Sequence, residues 1–321
     1  MPFHLKFFVI LLLFLNGVFG LDTLKVRDSL PILPPAHESA ENNYSPPLAA
    51  LISVFPGLGH FYLGEVSQGL KYLTAIPGLI IGSNYFTEQK PSQYEMSALL
   101  ALTAQDMWAY NFYSAYRNAR HLNKNANYQI PHKQTEFRHL FKAPFQKRFS
   151  LHGLTVLPML LATVLGGSTI LTSALEDSTL FDLEESYVFD KSRNRFTGFV
   201  LGETQSLLIS LNAGIAEEAL FRGVLQSEFT NLFGKLPGLL MASSLFGLAH
   251  YDETLGDANR AGIVFRGLIG LYLGWIYQRN QYDLRQSVAI HFWWNFFIFS
   301  SSFIASPQKP PLKLTISLPL F

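Results

Sequence analysis

From Leu151 to Leu175 the chain runs for 25 residues without an Asp, Glu, Lys or Arg. Such a stretch is long enough to cross a bilayer as a helix, which takes about 20 residues. Pro158 and the pair Gly166-Gly167 interrupt it, and membrane helices tolerate both residue types. Further apolar stretches cover Pro47 to Gly64, Gly69 to Phe86 and Ser97 to Tyr116, parted by short polar turns around Glu65 and Glu88-Gln89-Lys90. Weakly apolar helical sequence continues from Phe196 to about Ile304. Charged residues make up only 15% of the chain, against roughly 25% in soluble domains, so much of the water-facing surface of an ordinary globular protein is missing. The pattern predicts an all-α fold, a polytopic transmembrane helical bundle. A balance of 24 basic against 23 acidic residues leaves no basic excess, so no nucleic-acid partner is expected. With no cysteine in the chain, disulfides, thiolate metal sites and a cysteine nucleophile are excluded.

Residues 1–20 read as a signal peptide, or as an uncleaved signal anchor: Lys6, an apolar run Phe7 to Leu15, then Val18-Phe19-Gly20 at a cleavage site. Either reading puts the polar segment 21–46 outside the cytoplasm. Residues 47–116 form a three-helix membrane module. Residues 117–149 form a basic cytoplasmic linker, with eight Lys or Arg against the single acid Glu136, as the positive-inside rule requires of a cytoplasmic segment. Residues 150–305 form a second helical bundle of about five or six helices. Its first span leads to an outer loop, Glu176 to Arg195, with six acids and three bases. Residues 306–321, with Pro307, Pro310, Pro311 and Pro319, read as an extended tail. The bacterial-style signal places the chain in the bacterial inner membrane, as a multi-pass protein with the lipid bilayer around it.

Ionisable side chains inside spans are costly and mark function by default. Glu217 and Glu218 stand side by side, with Arg222 four residues beyond Glu218 on the same helical face. Arg222 neutralises Glu218 in that arrangement and leaves Glu217 free for chemistry. Phe246 and His250 close the next apolar run, four residues apart; Ser287, His291 and Asn295 share one face of the last helix. Each group has a bland alternative: an ion pair near the headgroups, a helix-capping histidine, a polar stripe between helices. Together, a carboxylate, two imidazoles and an amide on different helices are the parts of a water-activating hydrolase. A serine nucleophile is the weaker mechanism, since there is no Gly-x-Ser-x-Gly elbow; the His-Glu-x-x-His zinc helix is also missing. No cofactor is favoured, although a divalent metal such as zinc could be assembled on Glu217, His250 and His291. Two other functions fit the same residues: a proton-coupled transporter, which would show internal repeats, and a non-catalytic scaffold or immunity protein.

Glu217-Glu218-x-x-x-Arg222, Phe246-x-x-x-His250 and His291-x-x-x-Asn295, in this order, resemble the three signature motifs of the CAAX-protease and bacteriocin-processing family. These are intramembrane endopeptidases related to the type II CAAX prenyl endopeptidase. The resemblance covers roughly residues 150–305 and includes Phe221-Arg222-Gly223 and the glycines Gly267, Gly270 and Gly274. It implies that 150–305 is an intramembrane protease domain whose substrate is a membrane-embedded or membrane-associated peptide or protein. In that scheme Glu217 and His250 activate the attacking water, His291 and Asn295 hold the oxyanion, and Glu218 and Arg222 support them beside Phe246. Arg266, inside the preceding helix, is expected to snorkel to an interface. Residues Pro56 to Gly64 are similar to the Pro-Gly-x-Gly-x-x-Tyr-x-Gly signature of small two-helix membrane modules, with His60 expected at an interface and outside the chemistry.

Overall fold

The computed structural model describes residues 44–88, 94–124, 128, 130–131, 133, 135–188, 191–251 and 257–308. The expected signal segment 1–20, nearly all of 21–46 and most of the tail 306–321 lie outside the described residues. Helix α1 (Pro46–Ile52) starts at Ser45, whose Oγ accepts from the Leu48 N–H, with Pro46 at the first helical position, where its missing N–H leaves no bond unmade. Pro56 and Gly57 then break the chain before α2 (Leu58–Tyr62). Gly57 has φ 83°, and a Cβ there would stand 2.1 Å from the Gly69 carbonyl oxygen; only glycine suits both demands. The span expected over 47–64 is therefore two short helices of 7 and 5 residues, neither able to cross a bilayer. His60, expected at an interface, is fully buried: its Nδ1 lies 2.6 Å from Glu65 and its ring stacks on Tyr72.

Helices α3 (Val66–Glu88) and α4 (Tyr94–Leu122) pack against each other. The basic segment that follows is not a free loop. It folds into α5 (Phe137–Lys142), a 3₁₀ turn (Ala143–Phe145) and α6 (Lys147–Ser150), and its backbone meets the last helix of the chain. Trp293 Nε1 donates to the Pro144 carbonyl at 2.9 Å and Gln286 Nε2 to that of Phe149 at 3.1 Å. Arg120 is buried as well, donating to the Ile130 carbonyl and lying 4.2 Å from the Tyr128 ring centre.

Helix α7 (Gly153–Glu176) leads to a hairpin that the reading of 176–195 as a plain loop did not include: β1 (Glu185–Val188) pairs antiparallel with β2 (Lys191–Asn194). Asn194 then caps α8 (Arg195–Glu218) by accepting from the Thr197 N–H. The chain continues through a π-helical segment (Ala219–Gln226), α9 (Ser227–Phe233), α10 (Lys235–Leu248), α11 (Asp257–Arg279) and α12 (Leu284–Ala305). The fold is all-α apart from the small hairpin. One hydrophobic core joins both halves, with Tyr110, Tyr113 and Tyr116 of α4 packed among Leu211, Ile215, Tyr277, Val288 and Phe292.

Among the described residues, α7 and α12 are the two helices long and apolar enough to cross a membrane; the other expected spans are shorter or more polar. Only 17% of the apolar stretch of α7 is buried, with Leu157, Leu160, Leu161 and Val164 exposed. The core helix of a soluble protein would hide such a row; contact with lipid or with another protein would leave it exposed in the isolated chain.

Candidate active site

The paired glutamates sit where regular α-helix ends. Glu218 is the last residue of α8, and the next eight residues, Ala219–Gln226, are π-helical. A reading at 3.6 residues per turn gives no sign of this change, although π segments tend to occur at functional sites. The segment is tied to α11 by buried side chains: Arg222 Nη2 donates to the Gly270 carbonyl at 3.2 Å and Gln226 Nε2 to the Gly274 carbonyl at 2.9 Å. Ser227 Oγ donates to the Arg222 carbonyl and lies 2.9 Å from the Tyr277 hydroxyl. Gln226, Ser227 and Tyr277 carried no motif signal, and their part in holding the site emerges only from the fold.

Glu218 and Arg222 pair as their spacing suggested, with 3.3 Å between Oε2 and Nε, both side chains almost without solvent access. Glu218 Oε1 also accepts from His291 Nδ1 at 3.0 Å, and the Ser287 hydroxyl faces the same carboxylate. His250 is held differently, its Nδ1 donating to the Phe246 carbonyl at 2.8 Å. The Phe246 ring stands between the groups, 4.9 Å from the His250 ring, 6.0 Å from the His291 ring and 4.4 Å from the Arg222 guanidinium. Close packing of α10 on α11 supports this corner: a Cβ on Gly247 would lie 2.6 Å from the Ile263 carbonyl oxygen.

These bonds set the proton positions. A carbonyl or a carboxylate accepts only, so each imidazole carries a proton on Nδ1 and, when neutral, a lone pair on Nε2. Both Nε2 atoms face Glu217, at 3.7 Å from His250 and 3.8 Å from His291. The shared carboxylate atom, Oε2, has no solvent access and no hydrogen-bond partner. Three acceptors therefore face one another with no donor of the protein between them among the described residues. Glu217 and His250 each keep 29% of their side-chain surface accessible, while His291 keeps 5%, so solvent reaches the site from the Glu217 and His250 side.

Asn295 lies one turn beyond His291 on α12, partly exposed, and makes no hydrogen bond among the described residues. Arg266 is half-buried on α11, its guanidinium beside Gly262, one turn nearer the helix start, as snorkelling toward an end requires. Of the seven residues singled out from the motifs, six are thus linked by contacts, and Asn295 lies one helical turn from His291.

Glu217, His250 and His291 are chemically suited to a divalent cation. A tetrahedral zinc site, however, sets neighbouring ligand atoms about 3.3 Å apart, from bond lengths of about 2.0–2.1 Å. The observed 3.7 and 3.8 Å are wider, and among the described residues no three His, Asp or Glu side chains group as a metal set.

Residues 203–297 match the family model described as type II CAAX prenyl endopeptidase Rce1-like. That range contains all three motifs and is what this part of the chain is similar to. No curated protein and no solved structure matches the chain.

Proposed function

We propose that the chain is an intramembrane endopeptidase that hydrolyses a peptide bond of a membrane-associated protein or peptide, with water activated by Glu217 and His250. The observation that carries this reading is the convergence of Glu217 Oε2 with two imidazole Nε2 atoms whose own N–H groups are engaged elsewhere. Water held there gives a proton to Glu217 while its oxygen bonds to the scissile carbonyl carbon, and the carbonyl π electrons move to oxygen. His250, fixed by the Phe246 carbonyl, orients the water as an acceptor. His291, which takes a second proton from solvent on Nε2 before the attack and has the Glu218 carboxylate behind it, donates from Nε2 to the oxyanion, and Asn295 adds its amide from the next turn. The proton on Glu217 then passes to the leaving nitrogen as the C–N bond breaks. No step is assigned to a metal.

The row of exposed leucines on α7 supports membrane insertion. In this reading the protein is multi-pass in a bacterial inner membrane, with the basic segment 117–149 on the cytoplasmic side. Membranes from cells expressing the wild type are compared with those expressing Glu217→Gln or His250→Ala, scoring new peptide termini. Termini present with the wild type and lost with both variants are expected. Equal sets of termini from all three would end the proposal. A parallel assay with a chelator, and metal analysis of the purified protein, tests the metal-free assignment.

A further inference from the structure

A cavity of about 850 Å³ lies between α3, α4, α5 and α8, within the range of about 300–1,000 Å³ typical of small-molecule sites. It is separate from the catalytic corner. Leu208, Leu211 and Asn212 reach it from α8 on the side facing α4, where Asn212 Nδ2 donates to the Leu102 carbonyl at 2.8 Å. Glu217 instead faces α10 and α12.

The lining changes in a fixed order along α4. At one end are Lys71 and Arg117. Arg117 hydrogen-bonds only to neutral partners, namely Asn118, the Tyr110 hydroxyl and the Thr135 carbonyl. Neither cation has a carboxylate within ion-pair distance among the described residues: Glu136, which lines the same end, pairs with Arg138 at 2.7 Å, and Glu65, which Arg117 helps to keep ionised, is bonded by Asn118. In the middle stands Asp106, on the same helical face as Tyr110 and Arg117 at spacings of four and seven. The Asn212 side chain lies beside it, and Oδ1 is without solvent access and without a hydrogen-bond partner. At the other end Leu99, Leu102 and Leu208 are apolar. The basic end lies beside the segment 117–149, which the proposed topology puts at the cytoplasmic face, the level at which lipid headgroups meet basic side chains. The order here asks for more: an anion, then a hydrogen-bond donor, then one hydrocarbon chain.

We propose that this cavity binds a monoacylglycerol phosphate. Its phosphate lies on Lys71 and Arg117, its free hydroxyl donates to Asp106 Oδ1, and its single chain runs along Leu99, Leu102 and Leu208. The free hydroxyl sets this ligand apart from diacylglycerol phosphate, whose glycerol oxygens are all esterified, only accept, and leave Asp106 unserved.

The test uses the full chain in neutral detergent and a fluorescent monoacylglycerol phosphate, displaced by unlabelled competitors. Oleoylglycerol phosphate should displace the probe at least about tenfold more strongly than oleoylglycerophosphocholine or dioleoylglycerol phosphate, the factor that one lost charge-assisted bond is worth. Lys71→Gln, at an exposed position with no hydrogen bond to lose, should weaken binding about tenfold, as one charge-assisted bond implies. Asp106→Ala should weaken oleoylglycerol phosphate but leave hexadecyl phosphate, which has no hydroxyl, unchanged. Displacement by inorganic phosphate alone, equal affinity for the choline lipid, or indifference to Lys71→Gln would overturn the proposal. Equal losses for both phosphates in Asp106→Ala would do so too. Cleavage by the wild type is not read, so failure here leaves the catalytic assignment standing.

Discussion

Arg222→Met isolates the ion pair that underlies the catalytic corner. In the native protein the Arg222 guanidinium meets Glu218 at 3.3 Å, both side chains at 1% exposure or less; it also bonds the Gly270 carbonyl and lies 4.4 Å from the Phe246 ring centre. Methionine keeps the apolar contact with Phe246 and removes the charge. Glu218 is then a buried carboxylate with only His291 and Ser287 beside it. Leaving one member of a buried pair without its partner costs about 3–5 kcal/mol; the cation–π contact, about 2 kcal/mol when desolvated, overlaps with that figure and is not added. At about 2 °C per kcal/mol for a chain of this size, thermal unfolding in detergent should fall by roughly 6–10 °C. Glu218→Gln alone should cost a similar amount, since it orphans the guanidinium. The double variant Glu218→Gln/Arg222→Met buries no charge at this position and should cost less than the sum of the singles by about 2 kcal/mol, within the range of direct contacts. Additive losses, or an Arg222→Met variant as stable as the wild type, would refute the reasoning. Arg222→Lys should not rescue, because a lysine cannot bond Glu218 and the Gly270 carbonyl at once from one planar group.

Further expectations follow from the packing and caps. Gly57→Ala places a Cβ 2.1 Å from the Gly69 carbonyl at φ 83° and should destabilise by at least about 1–3 kcal/mol through overpacking and strain, read by thermal unfolding; an unchanged midpoint would contradict the tight turn between α1 and α2. Gly247→Ala should pry α10 from α11, lowering turnover more than stability, since His250 lies three residues on; turnover at the wild-type level would show that this contact does not position the imidazole. Asp283 caps α12, accepting from the Arg285 N–H and pairing with the Arg285 side chain. Burial pushes its carboxyl up, but the Arg285 hydrogen bonds and charge, helped by Lys133, hold it below the usual carboxylate range. Its pKa is depressed on folding, so its contribution is complete above the unfolded value near 3.9 and fades as pH falls through the lower folded value. Asp283→Ala should therefore cost about 0.5–2 kcal/mol at neutral pH, with the gap to the wild type closing only below about pH 4; a gap independent of pH would remove the ionised cap from the account.

The clustering around Glu217 was legible in sequence because it is made of side chains that a bilayer or a protein core penalises. Glu217, Glu218, Arg222, His250 and His291 stand out in apolar runs, and the spacing of four that suggested the Glu218–Arg222 pair depends only on local helix geometry. What remained hidden is set by tertiary contacts. The π-helical turn after Glu218 leaves no compositional trace, because its support comes from Gln226 and Ser227 reaching α11 across 48 and 50 residues of chain. Local breakers can mislead as easily: Pro56 and Gly57 were visible, yet the apolar count over 47–64 still suggested a span, and the left-handed Gly57 that splits it is dictated by the neighbouring Gly69 backbone. His60 makes the same point. An imidazole beside a glycine-rich turn reads as interfacial, and only the approach of Glu65 and Tyr72 satisfies it well enough to be buried. The two histidines of the corner, alike in sequence, are told apart only by what lies behind them: a carbonyl for His250 and a carboxylate for His291, which in the proposed mechanism would accompany a proton through the reaction. That asymmetry assigns different tasks to chemically identical side chains. It also implies that exchanging their rear partners, not the rings themselves, would exchange their roles.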